Sequence, residues 1–130
     1  MKSKFSKSFS IDGSMIDKFA DFSGDFNPIH IHKEKAVESG FKGRVLHGAG
    51  LLGLVSSMIA NDMPGPGSIL LEIKNKFKQP VTVGDEIIIF INLDKFTEIN
   101  HVAELSFLIE NSKGTLLCIG SAKVLYKQNA

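Results

Sequence analysis

Ten consecutive residues hold most of the reactive side chains this sequence offers: Ser23-Gly24-Asp25-Phe26-Asn27-Pro28-Ile29-His30-Ile31-His32. Asp25 and His30 stand five apart in a segment bent by Pro28, so a carboxylate and an imidazole can converge on one small volume. Histidine titrates nearest neutrality, and a carboxylate shielded from water can share with it in activating or protonating a reactant. Asp25 and Asn27 are equally ordinary turn-formers ahead of a proline, and the pattern alone does not choose between the two readings. A second clue is His47-Gly48, which opens an apolar run. A helix starting there would present free N–H groups and about half a positive charge. Glycine at that point lets a carbonyl oxygen approach the backbone, where the same donors would stabilise negative charge developing on it. Gly48 and Gly50 would also suit close helix–sheet packing.

Other candidates are weaker. His30, His32, His47 and Asp25 could be imagined around a metal, but no ligand spacing of a known kind supports it. Cys118 lies among Leu116, Leu117 and Ile119, where cysteine is a small hydrophobe. Ser56 and Ser57 lack the strand-to-helix setting of a nucleophilic serine. Gly65-Pro66-Gly67 is a turn, because no Lys-Ser/Thr follows to make a phosphate loop. Lys74, Lys76 and Lys78 are the wet face of a strand.

These groups need a frame. Ser14 with Asp17 three residues on is a capping-box signal. Met15, Phe19 and Phe22, with Ile16 and Ala20, then lie on one side of a short amphipathic helix. Ser23 to Arg44 reads as a long loop with one helical turn near Lys33 to Ser39. His47 to Ala60 carries no charge on any face, so the helix it forms should run through the middle of the fold. Its three glycines after His47 weaken it by up to about 1 kcal/mol each relative to alanine, which burial must offset. After the turn Asp62–Gly67 the chain reads as strands. Ile69, Leu71, Ile73 and Phe77 alternate with Leu70, Glu72, Lys74 and Lys76; Ile87, Ile89, Ile91 and Leu93 form one face, as do Ala103, Leu105, Phe107 and Ile109; Thr115 to Lys127 is a fourth run. An antiparallel meander with one dry face follows. Wrapped around the apolar helix, it gives a single α+β domain over residues 1–130.

Composition narrows the class. At 130 residues and 43% apolar content, with ten Phe, the chain can build one real core. A net charge of +1, with neither sign concentrated, recommends neither nucleic acid nor a membrane surface as partner. The longest uncharged apolar run falls short of the roughly 20 residues that span a bilayer, and the basic N-terminus lacks a signal peptide's apolar stretch. With Cys118 as its one cysteine the chain forms no internal disulfide, which suits a reducing compartment. The expectation is a cytoplasmic soluble protein.

Three blocks taken together carry a family resemblance: Ser23-Gly24-Asp25-Phe26-Asn27-Pro28-Ile29-His30, then Gly43-Arg44-Val45-Leu46-His47-Gly48, then Phe77-Lys78-Gln79-Pro80-Val81 with Val83-Gly84-Asp85-Glu86. In this order, from about Phe9 to Tyr126, the chain resembles the MaoC-like dehydratases, which include the R-specific enoyl-CoA hydratases. The resemblance implies a hot-dog fold and a homodimer, or a higher homo-oligomer, with the active site at the subunit boundary. It implies Asp25 and His30 as the catalytic pair, the Gly48 backbone N–H as the holder of a thioester carbonyl, and Asn27 in a supporting role. The reaction would be reversible hydration of a trans-2-enoyl thioester to the (R)-3-hydroxyacyl thioester. Coenzyme A or acyl carrier protein would supply the thiol, and no metal or redox cofactor would take part. Active relatives often carry a serine part-way along the central helix; that position is Gly53 here, with Ser56 one turn on. An acyl-CoA thioesterase and a non-catalytic acyl-thioester binding domain are the competing expectations.

Overall fold

A computed structural model describes residues 1–127. The element order is β1 (Lys4–Ser10), α1 (Gly13–Ser23), α2 (Pro28–Ile31), α3 (Lys33–Glu38), α4 (Gly48–Asn61), β2 (Ile69–Phe77), β3 (Glu86–Thr97), β4 (Val102–Asn111) and β5 (Leu116–Leu125). The strands form one antiparallel sheet in the order β1-β3-β4-β5-β2. This is the hot-dog arrangement in the α+β class. The dry face is built from Ile87, Ile89 and Ile91 on β3, Ala103, Leu105, Phe107 and Ile109 on β4, and Ala122 and Val124 on β5. Those alternate positions close over Leu51, Val55, Met58 and Ile59 of α4, as a period of two packed on a period of 3.6 requires.

Several details depart from the sequence expectation. The meander covers β3 to β5 only, because β2 crosses over to pair with β5. Local alternation defines a strand but not its neighbour. The N-terminal segment forms β1, an edge strand paired with β3 in register from Lys4 opposite Asn92 to Ser10 opposite Glu86. Its lysines and serines hide it in the sequence and suit an edge, where charge discourages further pairing. Helix α1 is capped by Asp12, whose side chain accepts from the Met15 N–H at 3.0 Å, and not by Ser14. Ile16 and Ala20 of α1 are buried, whereas Phe22 is 89% exposed.

The largest departure concerns α4. It was expected to be enclosed on all sides, yet Ala49, Gly53 and Ala60 face outward. On β2 the apolar residues Ile69, Leu71 and Phe77 are more than half exposed instead of dry. One side of the helix and one edge of the sheet therefore stay uncovered in the single chain. Among the described residues no helix is long and apolar enough to cross a membrane.

Candidate active site

The segment between α1 and α2 is held by its own side chains. Gly24 ends α1 at φ 78°, a left-handed conformation that glycine adopts without strain. The Ser23 hydroxyl accepts from the Asp25 N–H (3.1 Å), and the Asp25 carboxylate from the Asn27 N–H (3.2 Å). Asn27 caps α2, its side-chain oxygen 3.4 Å from the Ile29 nitrogen, with Pro28 at the first helical position. So Asn27 shapes the turn that carries His30 around towards Asp25. The turn-forming reading of Asp25 and Asn27 is what these hydrogen bonds show.

His30 is 8% exposed. Its Nδ1 lies 2.7 Å from the Val45 carbonyl oxygen. A carbonyl only accepts, so Nδ1 carries a hydrogen, which in the neutral ring leaves the lone pair on Nε2. That nitrogen lies 3.9 Å from Oδ2 of Asp25, a half-exposed carboxylate. The separation is too long for a direct hydrogen bond and fits one water shared between them.

Val45 belongs to an extended segment fixed from both sides. Its N–H donates to Ile29 (3.0 Å), the Leu46 N–H to Val81 (2.8 Å), and the Val83 N–H to Arg44 (3.0 Å). The Val81–Asp85 block thus braces the strand that holds His30. The turn at Gly84 (φ 97°) lets Asp85 reach back, its carboxylate accepting from the Thr82 N–H at 2.9 Å. Arg44 completes the brace: its Nε–H donates to the His30 carbonyl at 2.7 Å, and its Nη2 pairs with Asp17 of α1.

The segment ends at His47, and α4 begins at Gly48. No side chain caps this helix start, and its first regular bond runs from the Leu51 N–H to the His47 carbonyl. The first-turn N–H groups, Gly48 foremost, are left to an external acceptor. A cleft of about 340 Å³ opens there, lined by His30, Gly48, Val45, Leu51, Phe77 and Pro80 among others. Phe77 lies so close that a Cβ on Gly48 would come within 2.7 Å of its ring. The absence of a side chain at Gly48 is what leaves the approach to the backbone open.

Asp25 therefore lies beside His30, and His30 shares the cleft with Gly48, while Asp25 is not among the residues that line it. Gly53 is not part of the cleft lining, and an added Cβ there would meet nothing within 4 Å. One nitrogen or oxygen from each of Asp25, His30 and His47 falls within 4.8 Å of the others, a grouping that could be taken for a metal site. The two imidazoles, however, stack face to face with centroids 3.8 Å apart and planes 24° from parallel. Lone pairs lie in ring planes, so stacked rings do not aim at a common ion as a tetrahedral set must. His32 stands apart as the N-cap position of α3.

Two residues matter here beyond what the sequence reveals. Arg44 is the one arginine among fifteen basic residues, a signal that a fork of fixed geometry is wanted at that point. The sequence offers His47 as the marker of a helix start and as a weak metal-ligand candidate, whereas in the fold it is 2% exposed and touches both Asp25 and His30.

In this hot-dog fold Asp25 and His30 lie side by side, and His30 shares a cleft with the uncapped start of α4. The model of the MaoC like domain matches residues 1–104, and the chain belongs to that family. It is 34% identical over 123 residues to the (R)-specific enoyl-CoA hydratase of Aeromonas caviae, covering 95% of this chain and 90% of that protein. A mitochondrial 3-hydroxyacyl-[acyl-carrier-protein] dehydratase of Arabidopsis thaliana is 37% identical over 75 residues, which span 56% of this chain and 43% of that one. Among solved structures, the (R)-hydratase from A. caviae involved in PHA biosynthesis superposes with a TM-score of 0.91 at 31% identity, over 98% of both chains. R-hydratase PhaJ1 from Pseudomonas aeruginosa superposes at 0.89 and 28% identity, over 96% of this chain and 81% of that one.

Proposed function

We propose that the chain is a hydro-lyase that adds water reversibly to a trans-2-enoyl thioester, giving the (R)-3-hydroxyacyl thioester. The observation that carries this reading is the His30 Nε2 lone pair facing the Asp25 carboxylate across 3.9 Å, next to the uncapped start of α4. Asp25 and His30 grip one water between them. As the water oxygen bonds to C3, the pair takes up one of its protons, and a proton is delivered to C2 on the same face. The thioester oxygen gains charge as electron density leaves the double bond, and the Gly48 N–H, with the helix dipole behind it, stabilises that enolate-like oxygen. Dehydration is the same path reversed. Every proton in this scheme comes from water or substrate, so no redox partner enters.

The thioester is that of coenzyme A or of an acyl carrier protein, and the reaction belongs to acyl-chain metabolism in the cytoplasm. The chain acts as one domain and as a homodimer. The uncovered face of α4 and the exposed Ile69, Leu70 and Leu71 on edge strand β2 support the dimer.

The test follows the enoyl absorbance of crotonyl-CoA with the parent chain, Asp25→Asn and His30→Ala. Loss of either acid–base member is expected to lower kcat by about 10²–10⁴. Parental turnover in both variants would end the mechanism. A free-thiol assay on the same samples separates hydrolysis from hydration, since only a thioesterase releases thiol. Chiral analysis of the product reads the R configuration directly.

A further inference from the structure

His47 occupies a position that a simple core residue would not need. Its ring stacks on His30, with centroids 3.8 Å apart, and meets the Phe19 ring at a tilt of 48°, with centroids 4.7 Å apart. Its Nε2 lies 2.9 Å from the backbone oxygen of Asp25, so Nε2 carries the hydrogen and donates it. The other nitrogen, Nδ1, is buried without a hydrogen-bond partner among the described residues. Leaving a buried polar atom unpaired costs free energy that an apolar ring would avoid. What the imidazole contributes in exchange is a side-chain donor to the backbone carbonyl of Asp25. The next residue in the chain is Gly48.

We propose that His47 is a positioning residue: one side chain that sets the distances among the Asp25 carboxylate, the His30 imidazole and the Gly48 N–H. Its Nε2–H holds the Asp25 backbone, its ring face fixes the plane of His30, and its own backbone starts α4. No atom of His47 needs to touch substrate. Catalytic groups displaced by about 1 Å can lose about 10²-fold in rate, so the effect should fall on kcat and leave KM nearly unmoved.

The kinetic readout rests on the hydration reading above. His47→Phe keeps a flat ring against Phe19 and His30 but removes the donor. His47→Gln keeps an amide N–H within reach of the Asp25 carbonyl but removes the ring. With crotonyl-CoA, His47→Phe is expected to lose about 10- to 100-fold in kcat with KM within about threefold of the parent. His47→Gln should recover most of that loss even with a lower thermal midpoint, which a merely structural role would not produce. His47→Phe turning over at the parental rate, or His47→Gln being no faster than His47→Phe, overturns the proposal. If neither variant folds, or if the parent turns over no enoyl thioester and the hydration reading itself fails, side-chain ¹⁵N spectra of the parent decide. Hydrogen on Nε2 of His47 sustains the strut, and hydrogen on Nδ1 overturns it.

Discussion

Gly48 is where a single atom decides access. A Cβ there would stand 2.7 Å from the Phe77 ring tip, closer than carbon atoms tolerate. Phe77 is about half exposed, so the ring can swing away, and the destabilisation of Gly48→Ala should sit at the low end of the roughly 1–3 kcal/mol of overpacking. The displaced ring then crowds the cleft. We expect a raised KM for crotonyl-CoA in Gly48→Ala, relieved in Gly48→Ala/Phe77→Leu; equal KM in all three proteins would mean the ring does not border the acyl path. That Asp25 comes close to His30, and that Gly48 opens the central helix, were legible in the sequence because residue type and order along the chain carry both. His47 and Phe77 were not. Nothing local reveals that one imidazole lies flat on another seventeen positions earlier, or that a strand residue closes over a helix start.

Arg44 shows how elements are locked into a site. It joins α1 to α2 by donating to the His30 carbonyl and pairing with Asp17, which is more than half exposed. An exposed ion pair is worth only about 0.2–1 kcal/mol, whereas the bond to the His30 carbonyl, on a part-buried arginine, positions the ring. Arg44→Lys, which loses the fork, should therefore lower kcat more than Asp17→Asn does. The reverse order would place the importance of Arg44 in the surface pair. Strand β5 offers a second check at this scale. Burial pushes the Cys118 thiol above its ordinary range, with a weak opposing contribution from Asn75. Cys118 should react slowly with iodoacetamide at neutral pH in the native protein and at the rate of a free thiol in denaturant; fast native labelling would mean that β5 opens. Strands β2 to β5 were readable from their alternation, and the central helix from its long uncharged apolar run. Strand β1 and the placement of β2 beside β5 were not, since Lys-Phe-Ser-Lys-Ser-Phe-Ser lacks an apolar alternation and pairing partners are set by the whole sheet.

For the molecule as a unit, the decisive fact is the apolar surface that one chain leaves bare. Edge strand β2 exposes Ile69, Leu70 and Leu71 beside unpaired backbone groups, a combination that isolated proteins avoid because it invites association. On α4, Ala49, Gly53 and Ala60 offer small side chains along the outward face, where a partner could come close to the helix backbone. The sequence argued for enclosure of this helix on every side, and the single chain leaves one side, at Ala49, Gly53 and Ala60, uncovered. The proposed homodimer would meet the requirement with a second copy. Sedimentation velocity of the parent at micromolar concentration should then give a dimer. Leu71→Glu puts like charges at the paired edges and should yield monomers with little change in helix content by circular dichroism. Gly53→Ala gives an internal contrast. On an isolated chain the added methyl meets open space and should stabilise α4 by up to about 1 kcal/mol. If the partner packs on that face, the same methyl weakens the dimer instead, and the two results are separated by measuring thermal midpoint and dissociation constant together. A parent that sediments as a monomer while turning over crotonyl-CoA at full rate would show that the bare edge and the bare helix face are covered by something other than a second copy.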